Sequence, residues 1–450
     1  MKGFALVSAL AAAGVVSGSP TKRADPTPVT IKGNAFYKGN ERFYIRGIDY
    51  QPGGDSARVD PLASKDICGR DIEYFKDLGV NTVRVYTVDN SADHTECMGL
   101  LADAGIYLVL DVNTGGEKGY SINRGSPAMA SLSYNAAYLQ SIFATVSEFA
   151  KYKNTLAFFS GNEVINEVGN EFNAPYIKAV TRDLRAYIKA QNLRAIPVGY
   201  SAADVSESRF QTALYMNCGP DEVRSDFFAF NDYSWCNSDF ATSGWDAKVK
   251  NFTDYGLPLF LSEYGCNKNT PRKFDELGAL MSKEMTGVYS GGIMYEYSYE
   301  ESKYGIVDIS GKDGSGDVSK HGDGAEYDNF KSSLKSNVAP SGDGGASASS
   351  RSSKCPEKAS DWNVDPKLLP EMPKEAQKYM KEGAGKGPGL TGSGSQTAGD
   401  SGLSTKNVTV DGSGSNGTSS DSKNSAALPG SSMVATVASI AVAVFGTMLL

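Results

Sequence analysis

Short apolar runs of strand type alternate with longer segments of helical period from residue 30 to about residue 310. Eight such runs occupy residues 43–48, 82–86, 107–112, 156–160, 196–200, 227–230, 259–262 and 292–297. The segments between them include residues 66–78, 135–152, 174–191 and 273–285, each long enough for a crossover helix. Eight β-α repeats are typical of a TIM barrel, which takes about 250 residues. We therefore predict an α/β fold whose core is a (β/α)8 TIM barrel.

The residues that end these runs distinguish a barrel from a doubly wound α/β sheet, which would show the same alternation. In TIM barrels the chemistry lies at the carboxyl ends of the strands. Polar or phenolic side chains stand at the ends of seven of the eight runs, namely Asp49, Tyr50, Gln51, Arg84, Tyr86, Asp111, Asn113, Asn162, Glu163, Asn231, Tyr233, Glu263, Tyr264, Tyr295 and Glu296. Burying these groups without partners would be costly, so they are predicted to line a cleft.

Two glutamates are the strongest candidates for catalysis. Glu163 follows the run LAFFSGN and Glu263 follows LPLFLS, so each ends a strongly apolar strand. Two nearby carboxyl groups in unequal environments can share one proton and act as acid and nucleophile, which is the machinery of retaining glycoside cleavage. The competing interpretation pairs each glutamate with a local cation, but Asn162 favours catalysis because its amide can bind a sugar 2-hydroxyl. Glu167 and Glu171 have helical spacing and are predicted to lie on a solvated helix face.

Composition and charge exclude several classes of function. The 450 residues carry a net charge of −8, the wrong sign for a nucleic-acid-binding protein. The two histidines, His94 and His321, and the six cysteines form no CxxC or CxH spacing, so neither a metal site nor a cofactor is expected. An even, dispersed set of cysteines suggests three disulfides. The phosphate-loop-like residues 383–389 and the calcium-loop-like residues 308–317 lack required positions and are predicted to be turns.

The two ends of the chain predict secretion and tethering. Residues 1–19 have the pattern of a signal peptide. The apolar residues 433–450 have no basic flank and follow a polar spacer, which is the pattern of a glycosylphosphatidylinositol (GPI) signal. Asn424 is the favoured attachment residue, with residues 425–450 removed, and Ser425 is the next candidate. A permanent tail anchor is the competing interpretation. Residues 391–424 are predicted to be a disordered Gly/Ser stalk. N-glycosylation is predicted at the sequons of Asn251, Asn407 and Asn416.

Eight sequence motifs closely resemble those of the fungal β-1,3-glucanosyltransferases of glycoside hydrolase family 72, the Gas/Gel type. The motifs are IRGIDYQPGG (45–54), NTVRVYTVDN (81–90), YLVLDVNT (107–114), YSINR (120–124), LAFFSGNEVIN (156–166), FFAFNDYSWC (227–236), LFLSEYGCN (259–267) and MYEYS (294–298). The resemblance covers residues 28 to 390 and implies a retaining enzyme that cuts β-1,3-glucan internally. Such an enzyme transfers the new reducing end to the non-reducing end of another chain and so elongates wall glucan. The alternatives are an endo-β-1,3-glucanase that mainly hydrolyses and a catalytically idle wall-binding protein.

The resemblance also implies roles for individual residues. Glu163 is expected to be the acid/base and Glu263 the nucleophile. Contacts to the glucan donor are expected from Gln51, Tyr86, Asp111, Asn113, Tyr120, Ser121, Asn123, Arg124, Asn162, Tyr233 and Tyr295, and acceptor contacts from Asp204 and Arg209. The loop at residues 113–124 is longer than the commoner version of this motif.

The resemblance further implies the disulfide pairs Cys68–Cys97, Cys218–Cys355 and Cys236–Cys266. It places the barrel at residues 28–335, and a linker and C-terminal extension tied by Cys355 at residues 336–390. Since no cysteine follows Cys355, we expect the form without a cysteine-rich carbohydrate-binding module. The expected partners are glucan donor and acceptor chains and the plasma membrane. The expected location is the outer face of that membrane, with the cell wall as a second site, and no obligate protein partner is indicated.

Overall fold

A small antiparallel sheet precedes the barrel in the computed structural model, which describes residues 25–54, 58–311 and 314–396. Its strands are β1 (Val29–Lys32), β2 (Ala35–Lys38) and β3 (Glu41–Phe43), paired in the order β1-β2-β3. Phe36 packs against Phe227 and Phe260, with ring centroids 6.0 and 5.9 Å apart. Because these two aromatic residues lie at the starts of barrel strands, the sheet closes the amino-terminal end of the barrel. The sequence pattern did not predict it.

Eight parallel strands close into a barrel, as the alternation predicted. They are β4 (Ile45–Asp49), β5 (Thr82–Val85), β6 (Tyr107–Asp111), β7 (Thr155–Asn162), β8 (Val198–Ala203), β9 (Phe227–Asp232), β10 (Leu259–Tyr264) and β11 (Tyr289–Met294). They pair in sequence order, and β11 closes the ring against β4. Gly291 has φ +90°, and a Cβ atom there would lie 2.0 Å from the carbonyl oxygen of Ile45, so this closure requires glycine.

Helices pack around the barrel, and a hairpin and an extension follow β11 in the described part of the chain. The helices are α1 (Lys65–Leu78), α2 (Thr95–Asp103), α3 (Pro127–Ser133), α4 (Ala136–Phe149), α5 (Ala174–Ala190), α6 (Arg209–Asn217), α7 (Trp245–Phe252), α8 (Glu276–Leu280), α9 (Lys283–Thr286), α10 (Ala325–Ser336) and α11 (Tyr379–Glu382). Strands β12 (Val307–Ile309) and β13 (Val318–Lys320) form the hairpin around the calcium-loop-like residues. Three of the four predicted crossover helices are confirmed as α1, α4 and α5.

Two local predictions are wrong. The predicted helix at 273–285 is divided into α8 and α9, because Ser282 between them is extended, with φ −78° and ψ 161°. Glu167 and Glu171 do not share a solvated helix face. The chain turns at Gly169, where φ is +99°, and the Gly169 N–H donates to the buried carboxylate of Glu171 at 3.0 Å, whereas Glu167 is exposed.

The three expected disulfides, Cys68–Cys97, Cys218–Cys355 and Cys236–Cys266, are all present. Cys218–Cys355 ties the extension to the end of α6. The stalk was predicted to begin at residue 391, but Ser395 is fully buried against the barrel, so residues 391–396 belong to the packed extension. The Gly/Ser composition predicted disorder, but packing of these small residues against barrel loops offsets the conformational entropy lost on ordering them.

The expectations for the two chain ends fall on residues outside the described ranges. These are the signal peptide at 1–19, the sequons of Asn407 and Asn416, the attachment residue Asn424 and the segment 425–450. Within the described ranges, no helix has the length and apolar character needed to cross a membrane. The same ranges hold no group of His, Cys, Asp or Glu side chains suited to a metal ion.

A buried charged triad joins the loop at residues 58–63 to α4. His94 is fully buried, with Nε2 2.8 Å from Asp60 Oδ2 and Nδ1 3.4 Å from Glu148 Oε1. Burial lowers the pKa of His94, but the hydrogen bonds to both carboxylates outweigh it and raise that pKa from 6.5 to about 9. The protonated imidazole therefore stabilises the fold.

We expect the His94 contribution to stability to be complete below pH 6.5 and to disappear as the pH rises through about 9. The rise in pKa corresponds to about 3 kcal/mol of unfolding free energy. The difference in unfolding free energy between wild type and His94→Gln, measured by denaturant titration from pH 6 to 10, should shrink by that amount. His321→Gln, at a more exposed pair with Asp308, serves as the control. A pH-independent difference for His94→Gln would contradict the prediction.

Candidate active site

Glu263 is held by three hydrogen-bond donors at the carboxyl end of β10. Its side chain is buried, and the residue is 6% exposed. Arg84 Nη1 donates to Oε1 at 3.0 Å, and the Tyr86 hydroxyl donates to the same oxygen at 2.8 Å. The Tyr233 hydroxyl donates to Oε2 at 2.5 Å. Donors on both oxygens fix the orientation of the carboxylate and favour its ionised form.

Arg84 is the cation of this site and is fully buried. Its Nε and Nη2 atoms donate to Asp111 at 2.9 and 3.3 Å, while Nη1 bonds Glu263. Burial raises the pKa of Glu263 to about 7 and the nearby Glu163 carboxyl group adds to this rise, while the Arg84 charge and the two phenols limit it. Asp49 Oδ1 lies 3.9 Å from Arg84 Nη1, and burial raises the pKa of Asp49 well above its usual range. Burial thus disfavours the ionised form of Asp49, and Asp111 and Glu263 are the two carboxyl groups that hydrogen-bond Arg84.

Glu163 follows β7 in a left-handed backbone conformation, with φ +49°. The Glu163 N–H donates to the Ser201 carbonyl at 2.9 Å, and Arg124 Nη1 donates to the Glu163 carbonyl at 2.9 Å. These contacts hold a backbone that a non-glycine residue adopts at a cost of about 1–3 kcal/mol. Asn231 Nδ2 donates to the Glu163 carboxylate at 2.8 Å. The described residues thus direct one neutral amide at Glu163, in contrast to the cation and two phenols around Glu263.

Asn162 is oriented by the strands beside it. Its Oδ1 atom accepts hydrogen bonds from Ser201 Oγ at 2.7 Å and from Asn231 Nδ2 at 3.1 Å. Ser201 Oγ also contacts Ser262 Oγ at 2.9 Å, which extends the network to β10. Because protein donors occupy Oδ1, the Nδ2 group of Asn162 is left to donate to a sugar hydroxyl.

Both glutamates face one small pocket that opens into a larger one. The small pocket has a volume of about 190 Å³ and is lined by Gln51, Tyr86, Asn162, Glu163, Glu263, Tyr295 and Glu296. The larger pocket, of about 780 Å³, is lined by Tyr86, Asp111, Asn113, Thr114, Gly115, Gly116, Glu117, Ser121, Ile122, Asn123, Arg124, Gly161, Asn162, Glu163, Val164 and Gln396. Since the two share Tyr86, Asn162 and Glu163, they form one continuous cleft.

The structure brings most of the expected sugar-binding residues to this cleft. Those in the pocket walls are Gln51, Tyr86, Asp111, Asn113, Ser121, Asn123, Arg124, Asn162 and Tyr295. Tyr233 reaches it through its hydrogen bond to Glu263. Gln51 also shapes the wall, because its Oε1 accepts from the backbone N–H groups of Tyr86 and Thr87 at 3.2 and 3.0 Å.

Besides Tyr233, three expected sugar contacts lie outside both pocket walls. Tyr120 is 5% exposed, and its ring belongs to the main hydrophobic core. Asp204 and Arg209 form an ion pair with each other, and Lys248 Nζ donates to Asp204 Oδ2 at 2.7 Å. Lys248 lies on α7, 44 residues further along the chain, so the sequence after β8 could not show that Asp204 already has two cationic partners. The acceptor roles of Asp204 and Arg209 stay predictions that this placement does not support.

Four residues of the site had no role assigned to them from the sequence. Arg84, Asn231 and Glu296 all stand at strand ends, where the pattern did predict polar groups. Burial raises the pKa of Glu296 to about 8, and Ser302 Oγ donates to its Oε1 at 2.6 Å. Gln396 lies in a Gly/Ser-rich segment, where no sequence signal marked it.

Comparisons with known proteins agree with this geometry. Residues 19–337 match glycoside hydrolase family 72, described as Glucanosyltransferase. The chain is 60% identical over 397 residues to 1,3-beta-glucanosyltransferase gel1 of Aspergillus fumigatus, covering 87% of this chain and 85% of that protein. It is 48% identical over 379 residues to 1,3-beta-glucanosyltransferase GAS5 of Saccharomyces cerevisiae, covering 83% and 75%.

Solved structures of a second Saccharomyces cerevisiae protein share the fold. A mutant of Gas2p in complex with laminaritetraose and laminaripentaose superposes with a TM-score of 0.70 at 36% identity. The match covers 78% of this chain and 76% of that one. The fold is therefore shared with a protein whose complex contains laminaritetraose and laminaripentaose.

Proposed function

This chain belongs to glycoside hydrolase family 72, and from that membership we propose that it is a retaining 1,3-β-glucanosyltransferase. It cleaves β-1,3-glucan internally and transfers the new reducing end to the non-reducing end of another glucan chain, which elongates cell-wall glucan. The observation that carries the mechanism is the unequal environment of two glutamates in one pocket. A cation and two phenols surround Glu263, whereas a neutral amide contacts Glu163.

In the first step Glu263 is the nucleophile. Its carboxylate oxygen attacks the anomeric carbon as the bond from that carbon to the glycosidic oxygen breaks. Glu163 gives its proton to the departing oxygen, so one glucan fragment leaves with a hydroxyl group. The other fragment stays on the enzyme as an ester of Glu263. Arg84, Tyr86 and Tyr233 hold the attacking carboxylate in place and compensate its charge before reaction.

In the second step Glu163 acts as the base. Its carboxylate takes the proton of an incoming sugar hydroxyl, whose oxygen attacks the anomeric carbon and releases Glu263. Two displacements at one carbon retain the β configuration. Asn162 supports both steps, because its free amide hydrogens lie in the pocket that holds both carboxyl groups.

Transfer and hydrolysis differ only in what attacks the ester. A sugar hydroxyl outcompetes water when the cleft holds the acceptor at high effective concentration. The rings of Tyr233, Tyr295 and Tyr304 support such binding, because they cluster beside Glu263 with centroid separations of 5.3 to 6.2 Å. Aromatic rings pack well against the apolar faces of sugars. An endo-β-1,3-glucanase that acts mainly by hydrolysis is the alternative that uses the same carboxylates.

Sizing the products from reduced laminari-oligosaccharides tests the proposed activity. Wild-type protein should yield products longer than the substrate, together with the short fragment released in the first step. Mass spectrometry of the reaction over time distinguishes transfer from hydrolysis, because a hydrolase produces only shorter chains. Only shorter products would establish the endo-glucanase alternative, and no products at all would favour the wall-binding protein.

Secretion and GPI anchoring at the outer face of the plasma membrane, with retention in the cell wall as a second fate, are also part of our proposal. Three disulfides support an oxidising compartment, and the sequon residue Asn251 is exposed on α7. The sequence patterns at the two ends of the chain predict the signal peptide and the attachment residue Asn424. Phosphatidylinositol-specific phospholipase C should release the protein from membranes. A protein that stays in the membrane after this treatment would indicate the permanent tail anchor.

A further inference from the structure

The C-terminal extension returns to the cleft after α11. We call residues 383–396 the strap and residues 113–124 the cleft loop. Side chains of the barrel hold the first half of the strap: Gln140 Nε2 donates to the carbonyls of Ala384 and Lys386 at 2.8 and 3.0 Å. The Gly389 N–H donates to Asn90 Oδ1 at 2.9 Å. Asn90 is itself buried and donates to Ser141 and Thr145 of α4, so this contact links the strap to that helix.

The second half of the strap supports the cleft loop. The Ser395 N–H donates to the Gly119 carbonyl at 2.9 Å, and Gln396 Nε2 donates to the Ser121 carbonyl at 2.8 Å. Asn135 Nδ2, from the start of α4, donates to the Ser395 carbonyl at 2.9 Å. Arg58 Nη2 bridges the two segments, 3.3 Å from the Lys118 carbonyl and 3.1 Å from that of Leu390.

Close approach of the backbones explains the glycine content of the strap. Gly394 has φ +81°, and a Cβ atom there would lie 2.7 Å from the carbonyl carbon of Lys118. A Cβ atom on Gly387 would lie 2.0 Å from Asn90 Oδ1. Both distances are shorter than a non-bonded contact permits. The strap therefore needs glycine at position 394 to fit against the cleft loop and at position 387 to fit against Asn90.

We infer that Gln396 is a sugar-binding residue of the larger pocket and that the strap sets the affinity for the glucan chain by holding the cleft loop. Gln396 lines that pocket together with Asn113, Ser121 and Arg124. Its two hydrogen bonds, to the carbonyl and hydroxyl of Ser121, both use Nε2. The Oε1 atom is left to accept a hydrogen bond from a sugar hydroxyl. The identity of the ligand as β-1,3-glucan rests on the proposed function.

Three full-length variants test the inference. Gln396→Met keeps the volume of the side chain and removes its polar atoms, and Gly394→Ala separates the strap from the cleft loop. Gln211→Ala is the matched control, because Gln211 also joins the barrel to the extension, through Asp361 at 2.7 Å, but at an exposed position. Laminarihexaose binding is measured by calorimetry in a Glu163→Gln background, and KM and kcat for transfer are measured in the otherwise wild-type chain.

Gln396→Met and Gly394→Ala should weaken laminarihexaose binding and raise KM about 5- to 10-fold, with kcat within about twofold. The first variant loses the hydrogen bond from Gln396 to the sugar, and the second displaces the strap that holds the cleft loop. The control should match wild type. Wild-type affinity in both variants would overturn the inference and leave the transferase function intact. Conversely, weakened binding in the variants of a protein that performs no transfer would uphold the inference and refute the proposed function.

Discussion

Replacing Glu163 or Glu263 by Gln should lower both transfer and hydrolysis about 10³- to 10⁴-fold. The amide of Glu263→Gln could not form the ester with the anomeric carbon. The amide of Glu163→Gln could neither give a proton to the glycosidic oxygen nor take one from an acceptor. Either substitution preserves the shape of the side chain, so the melting temperature should stay close to that of wild type. Product sizing with reduced laminari-oligosaccharides measures the loss for both reactions.

Replacing each glutamate by Ala and adding azide distinguishes the nucleophile from the acid/base. With an activated β-laminaribiosyl fluoride, azide can enter the space left by Glu263→Ala and displace fluoride directly, which yields an α-glycosyl azide. In Glu163→Ala the ester on Glu263 still forms, and azide then attacks it to yield a β-glycosyl azide. Glu167→Gln, at an exposed carboxyl nearby, is the control and should keep full activity. Retained activity in either catalytic variant, or reversed anomers, would refute the assignment.

Replacing Arg84 by Met should both destabilise the protein and inactivate it. Arg84 is fully buried between Asp111 and Glu263, so its loss removes the cation that both buried carboxyl groups contact. Breaking such a network costs about 3–5 kcal/mol of unfolding free energy. The pKa of Glu263, already raised by burial, should rise further, so that at neutral pH less of it is ionised for attack. Urea unfolding and the pH profile of kcat measure the two effects.

A control and a second substitution make this prediction specific. Arg351→Met removes an exposed ion pair with Asp254, 2.8 Å long, and should cost less than about 1 kcal/mol. Adding Asp111→Asn to Arg84→Met removes the negative charge of one of these two carboxyl groups and should recover part of the lost stability. Activity should stay low in the double variant, because Glu263 still lacks its cation. An Arg84→Met protein as stable as wild type would show that the buried network does not stabilise the fold.

The barrel and its catalytic pair were predictable because both depend on patterns along the chain. Strand and helix periods differ, so eight alternations identified the fold, and all eight strands overlap the predicted runs. Glu163 and Glu263 were recognisable because a carboxyl group at the end of an apolar strand stands out, and parallel strands bring their carboxyl ends to one face. The three disulfide pairs came from the family resemblance and were confirmed.

Residues that act through neighbours from distant parts of the chain were not predictable in the same way. Arg84 has a role in the site because Asp111 and Glu263, on other strands, lie within hydrogen-bond distance. Lys248, on α7, forms an ion pair with Asp204. From the sequence alone, the Asp204 carboxylate was expected to bind an acceptor sugar.

Local composition also could not distinguish a flexible Gly/Ser stalk from a segment in which glycine allows close packing. The strap is a segment in which glycine allows close packing, and only its contacts with the cleft loop show this. Periodicity along the chain thus specified the barrel and the two carboxyl groups, since both are repeated local signals. Charge compensation, the orientation of Glu263 and the wall supported by the strap depend on contacts between segments far apart in sequence, and those distances exist only in the folded chain.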